Sequence, residues 1–162
     1  MAVNIVLVEP EIPQNTGNIV RTCAATGAGL HLVRPLGFSV DDRYLKRAGL
    51  DYWHEVDIKY YDSFGEVKEK NKSIDFYYAS TKSAKSYADI SYPQDCFIVF
   101  GKETAGLPEE LLIHNKEWCI RIPMKNEIRS LNLSNSVSII LYEVLRQRGF
   151  DGMLSEGKFK NI

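Results

Sequence analysis

The chain is short of cysteine, of net charge, of long apolar runs and of glycine-rich phosphate loops, and each shortage removes a class of protein. Three cysteines, Cys23, Cys96 and Cys119, stand far apart in 162 residues. An odd, widely spaced set builds no disulfide framework and lacks the close spacing of a zinc site. The three histidines, His31, His54 and His114, show no metal-ligand spacing, so structural or surface roles are expected and no metal. Lys and Arg number 20 against 21 Asp and Glu, a formal net charge of -1. That balance exerts no global pull on nucleic acid, so any RNA contact must come from a local patch. The apolar run in "MAVNIVLVEPEIPQ" is too short for a signal peptide and follows no basic segment. No stretch approaches the ~20 apolar residues of a membrane span. A cytoplasmic protein without a membrane segment is the expectation.

The glycines exclude two further classes. In "ATGAGLHLV", Gly27 and Gly29 resemble the start of a dinucleotide fingerprint, but the third glycine falls on Leu32. They also follow a helical pattern, whereas that fingerprint follows a strand. A helix stop and tight turn is the expected reading, and an oxidoreductase using a nucleotide cofactor is disfavoured. No phosphate-binding P-loop pattern or nucleophile elbow occurs.

What is present is an alternation of short apolar strands and helices. "VNIVLV", "LHLV", Val56 to Tyr60, "DFYYAS", "CFIVFG" and "WCIRIP" read as strands. Continuous apolar runs of this kind are buried on both faces of a sheet. Asn15 to Gly27 reads as a helix, with Asn15 or Thr16 as its cap. "SFGEVKEKN" reads as a polar helix or turn. "LPEELLI" reads as a short helix with Pro108 near its first turn. Val137, Ile140, Leu141, Val144 and Leu145 form one stripe on a final helix, stopped by Gly149. The pattern predicts an α/β fold with a doubly wound, mostly parallel sheet, in a single domain over 1–162.

Four segments carry chemistry. "NTGNIVRTC" follows the first strand, at the edge where such folds place ligands. A cap accounts for one polar residue there, and leaves Arg21, a planar multi-donor cation suited to a phosphate or ribose. "FGKETAGLP" puts Gly101 at a strand's carboxyl end, where a ligand can approach the backbone. "RSLNLSNS" opens the last helix with five Ser or Asn residues between Ser130 and Ser136. One cap needs one such residue, and the rest weaken a helix unless their side chains bond elsewhere. Arg43, Lys46 and Arg47, beside Tyr44, Tyr52 and Trp53, form a basic and aromatic cluster. It reads as a solvated face or as an RNA contact through phosphates and stacked bases.

Together "EPEIPQNTGNIVRTC", "FGKETAGLP" and "IRIPMKNEIRSLNLSNSVSIILYE" resemble, in order and spacing, the three motifs of the SpoU branch of the SPOUT methyltransferases. "GFSVDDRYLKRAGLDYW" is similar too, and the likeness runs from about Asn4 to about Gly149. The resemblance implies a deep C-terminal trefoil knot, an exception to the rule against knots. It implies a homodimer with each site near the subunit boundary. It implies methyl transfer from S-adenosyl-L-methionine, leaving S-adenosyl-L-homocysteine, to the ribose 2'-hydroxyl of the wobble cytidine or uridine in the tRNA anticodon stem-loop. Leucine tRNAs are the implied substrates. Another tRNA position, ribosomal RNA, or a non-catalytic RNA-binding relative are the alternatives.

Residue by residue, the resemblance makes Arg21 catalytic. It gives the cofactor Ala79, Gly101, Ile122 and Ser130, with Met124 and Leu131 enclosing the adenine. RNA would fall to Arg43, Lys46, Arg47, Lys82 and Arg129. Asn15, Glu103, Asn132 and Asn135 would hold the site loops. Ala105 stands where relatives often carry a basic side chain. An arginine is a poor literal base, so Arg21 is expected to orient a phosphate or stabilise a developing alkoxide. The proton would leave through the phosphate or water.

Overall fold

The computed structural model describes residues 3–39, 43, 45, 47 and 50–159. Its six strands are β1 (Val3–Val8), β2 (Gly29–Val33), β3 (Ile58–Tyr61), β4 (Asp75–Ala79), β5 (Cys96–Phe100) and β6 (Cys119–Ile120). They form one sheet in the order β3-β2-β1-β5-β4-β6, with every pairing parallel. β1, β2 and β5 contain almost nothing but buried positions, as expected of strands covered on both faces. The chain winds outward from β1 through β2 to β3, then crosses to the other side of β1. The order reverses between β1 and β5, and folds of this kind take ligands at the carboxyl edge near such a point.

The sheet is covered by helices α1 (Pro13–Thr26), α2 (Phe64–Lys70), α3 (Glu109–His114) and α4 (Leu133–Gln147). On one face Ile19, Val20 and Cys23 of α1 join the α4 stripe over Ile5, Leu7, Leu30 and Ile98. Val137, Ile140, Leu141, Val144 and Leu145 are all buried, so the stripe read from the sequence is the packed face. On the opposite face Val67 of α2 and Leu112 of α3 lie over Val6, Phe76, Tyr78, Phe97 and Val99. Two cores back to back are what a doubly wound sheet requires.

Local details differ from expectation for physical reasons. α1 starts at Pro13, whose fixed φ suits a first helical position, and Ile12 takes the cap position without a side-chain bond. Asn15 and Thr16 are therefore inside the first turn and not caps. Gly27 ends the helix at φ 73°, as expected. Gly29 is needed elsewhere: a Cβ there would lie 2.6 Å from Asn4 Oδ1. The last strand is only two residues long, because beyond it Arg121 exchanges backbone hydrogen bonds with Lys85 and Tyr87.

The segment after β4 ties two distant parts together. Ser80 N donates to Ile120 O, and Ser83 Oγ donates to Cys119 O at 2.7 Å. Further along, Gln147 Nε2 donates to Ile90 O, Tyr92 N donates to Gln147 Oε1, and Arg148 donates to Pro93 O. Residues 80–95 thus run from β6 to the end of α4.

Candidate functional site

A cavity of about 520 Å³ opens at the carboxyl ends of β4, β5 and β6. That lies within the usual range for small-molecule sites. Its walls come from the three motif segments of the sequence. Ile12 and Asn15 stand on one side, residues 100–107 on a second, and residues 129–133 on a third. Ala79, Gly101, Ile122, Met124, Ser130 and Leu131, all assigned to a cofactor, line it. Ile122, Met124, Leu131 and Ile140 supply apolar wall, suited to a flat purine. Ser130 and the loop backbone at 101–106 supply polar atoms.

Carboxylates join the loops. Glu103 accepts from Glu11 N at 2.8 Å, from Ile12 N at 3.0 Å and from Asn15 Nδ2 at 3.2 Å. Asn15 Oδ1 in turn accepts from Asn132 Nδ2 at 3.0 Å. One chain of side chains, Glu103 to Asn15 to Asn132, therefore crosses all three motifs. In the reverse direction Thr104 N and Oγ1 donate to Glu11 Oε1 at 3.2 and 2.6 Å. Those bonds hold the Glu11 carboxyl below its ordinary range. Lys102 and Glu9 form an ion pair at 2.8 Å, with Glu9 in the left-handed region at φ 52°. Gly101 serves this clasp too: a Cβ would collide with the backbone of Gly106 and Leu107. Its smallness lets the chain close on itself, beyond any approach of a ligand.

The polar opening of α4 divides by role. Asn132 is the cap, accepting from Ser134 N and Asn135 N, and its amide N–H reaches Asn15. Ser134 Oγ donates to Asn132 Oδ1, and Ser136 Oγ donates to Asn132 O. Those two hydroxyls serve the helix's own first turn and not another loop, although Ser136 also lines the cavity. The Asn135 side chain is exposed and has no hydrogen-bond partner among the described residues. Ser130 lines the cavity too, and its hydroxyl has no hydrogen-bond partner among the described residues.

Arg21 stands outside the cavity lining, exposed on α1 with its guanidinium 5.3 Å from the centre of the Tyr52 ring. That contact joins the arginine to the aromatic part of the basic cluster. Arg43 and Arg47 are exposed; Lys46 lies outside the described residues. Lys82 and Arg129 line the cavity, and Lys82 is already paired with Glu109 at 2.6 Å. The sequence reasoning missed Glu9, Glu11, Lys102 and Thr104. The only signal was two carboxylates flanking Pro10 in a segment that must face a ligand edge.

The cysteines offer no nucleophile. Burial pushes the Cys23 thiol up to about 12 and Cys96 to about 11. Among the described residues no group of three His, Cys, Asp or Glu could hold a metal ion. None of the described helices is long and apolar enough to cross a membrane.

Comparison with known proteins places this geometry. The chain belongs to the SpoU rRNA methylase family, whose model matches residues 2–142. Within it, a relative from Listeria monocytogenes serotype 4b is 57% identical over 159 residues, covering 96% of this chain and 94% of the relative. The tRNA (cytidine(34)-2'-O)-methyltransferase of Yersinia pestis is 45% identical, covering 93% of this chain and 97% of its own. A solved structure described as giving insights into the 2-OH methylation of C/U34 on tRNA superposes with a TM-score of 0.87 at 41% identity, over 92% of this chain and 97% of that one. The SpoU methyltransferase AviRb from Streptomyces viridochromogenes, in complex with the cofactor AdoMet, gives a TM-score of 0.79 at 26% identity, over 91% of this chain and 58% of that one.

Proposed function

We propose that this protein methylates the ribose 2'-hydroxyl of nucleotide 34, a cytidine or uridine, in the anticodon loop of tRNA, with S-adenosylmethionine as donor. The observation that carries the reading is the cavity itself. It lies at the sheet's carboxyl ends, is walled by all three motif segments, and gathers every residue assigned to the cofactor. The identity to the Yersinia pestis relative supports the tRNA substrate and the position.

The residues present fit the donor: an apolar wall from Ile122, Met124 and Leu131 for the purine, and Ser130 with loop backbone for polar groups. When bound, the donor supplies an electrophilic methyl group on a good leaving group. The protein's task is alignment and charge. Glu103, Asn15 and Asn132 keep the loops at fixed separation. Arg21, a permanent cation, orients the phosphate beside the target ribose or stabilises the developing alkoxide. The proton leaves through that phosphate or water. Arg129 and Lys82 at the rim, with Arg43, Lys46 and Arg47 along the basic cluster, attract the RNA backbone.

Arg21 and the cavity do not share a wall within one chain, so a bound ribose must span a gap or a second copy must close it. A homodimer with sites at the subunit boundary meets that requirement. The exposed apolar Ile12, Leu131 and Tyr142 give such an interface material. A trefoil knot is part of the same reading. It is supported by residues 80–95, which bond to β6 at one end and to the end of α4 at the other.

Arg21→Ala tests the assignment. Methylation of tRNA is expected to fall by at least about a hundredfold, a general size for losing one charge-stabilising group, while calorimetric cofactor binding stays within a factor of two or so. Normal turnover by the variant would overturn the role of Arg21. Absence of cofactor binding to the wild type would favour a non-catalytic RNA-binding protein.

A further inference from the structure

A second cavity, of about 430 Å³, lies at the opposite end of the sheet from the cofactor cavity and is not used by the proposed reaction. Its floor is Phe76 and Tyr78, alternate residues of β4 that point to the α2 and α3 face. β6 pairs with Tyr78 and Ala79, so among the described residues the amino-terminal half of β4 lacks a neighbour on that side. Trp118 borders the cleft at this sheet edge, 42% exposed, its ring packed edge-to-face 5.5 Å from Tyr77 of the other sheet face. Lys68 and Lys72, at and beyond the end of α2, stand at the rim.

Tyr78 and Trp118 pack in the fold, against Phe64 and Tyr77 respectively, yet three groups at the cleft keep unused binding capacity. The Tyr78 side chain is 99% buried (1% exposed), yet its phenol has no hydrogen-bond partner among the described residues. Tyr78 is among the residues that line the cavity. Buried polar groups are almost always satisfied, and an exception calls for a ligand or water. Lys68 and Lys72 have no carboxylate partner among the described residues, whereas neighbouring Lys70 is paired with Glu66 at 2.6 Å. Trp118, 42% exposed and part of the cleft lining, adds aromatic surface.

We infer that this cleft binds a nucleoside phosphate, free or as one unpaired nucleotide of an RNA strand. The base lies against Trp118, the phosphate meets Lys68 and Lys72, and the Tyr78 phenol donates to a base or ribose oxygen. Glu69 and Asp75 also line the cleft. They disfavour a bare anion such as inorganic phosphate and accept from exocyclic amines or ribose hydroxyls, which selects a nucleoside over a simple ion. Burial pushes the Tyr78 phenol up to about 12, which keeps it a donor at neutral pH. Stacking on an aromatic platform with flanking cations is how sequence-tolerant single-strand sites are built.

The test uses the full chain saturated with S-adenosylmethionine, so that the first cavity is filled. Adenosine monophosphate, cytidine monophosphate and a short unstructured RNA oligomer are titrated by calorimetry against the wild type, Trp118→Ala and Tyr78→Phe. The expected result is binding that Trp118→Ala weakens roughly tenfold, the effect of one base stack, and Tyr78→Phe by a few-fold. Tyr78→Phe removes only the phenol oxygen, so it reports on the cleft even where the larger truncation disturbs the fold. Equal affinity for mononucleotide and oligomer identifies a free nucleotide as the ligand; oligomer binding alone identifies an RNA strand. No binding of any of the three, or binding that both variants leave unchanged, overturns the inference.

Discussion

Glu103 accepts three hydrogen bonds with two carboxylate oxygens, and an amide in its place would turn one N–H donor toward another. Glu103→Gln is therefore expected to lower stability by about 2 kcal/mol, the size for a hydrogen bond to a charged group. Cofactor binding should weaken in parallel, because the same bonds fix two cavity walls. Urea unfolding and calorimetry measure the two effects. His31 makes a second residue-scale case. It is buried in β2, with Nδ1 2.9 Å from Tyr61 OH and Nε2 3.1 Å from Asn4 Oδ1. An amide oxygen only accepts, so Nε2 carries the proton and Nδ1 accepts from the phenol. Burial first, then Lys59, lowers the His31 pKa from 6.5 to about 4. Between those values the unfolded chain holds the extra proton, so stability is full above pH 6.5 and falls as pH drops toward 4. The loss is on the order of 3 kcal/mol. Urea midpoints across that window should show the slope in the wild type and a shallower one in His31→Gln.

At the scale of elements, α4 concentrates the account. Asn132 caps it and also reaches Asn15, so Asn132→Ala is expected to cost about 1 kcal/mol as a lost cap and to loosen the cavity. Asn135→Ala, whose side chain has no partner among the described residues, should stay within about 0.5 kcal/mol. A loss of stability at Asn135 equal to that at Asn132 would refute this division. The helix's apolar stripe and the strand runs were readable from periodicity alone, because burial on one or both faces dictates them. The Ser and Asn cluster was readable as excess polarity, but not as one cap plus two self-bonding hydroxyls. That split depends on geometry within a single turn. β6 shrank to two residues because Arg121 pairs with the chain at 85–87, a contact between segments far apart in sequence. The Glu11 to Thr104 and Glu103 to Glu11 clasp was invisible for the same reason, since its partners are separated by 92 or 93 positions.

The whole molecule carries near-zero net charge and gathers its candidate RNA contacts at one cavity rim and one basic cluster. Two copies would bring more of that surface to a single RNA than one copy holds. Sedimentation equilibrium is expected to give twice the chain mass, and a monomer at working concentration would contradict the proposed homodimer with its sites at the subunit boundary. The resemblance supplied the motif roles, while the structure supplied the clasp and the second cleft. The most direct test of the central claim is transfer of labelled methyl from S-adenosylmethionine to bulk tRNA, followed by nucleotide mapping. Label on the ribose 2'-oxygen of nucleotide 34 is the expected result; label confined to other positions, or none, would contradict it.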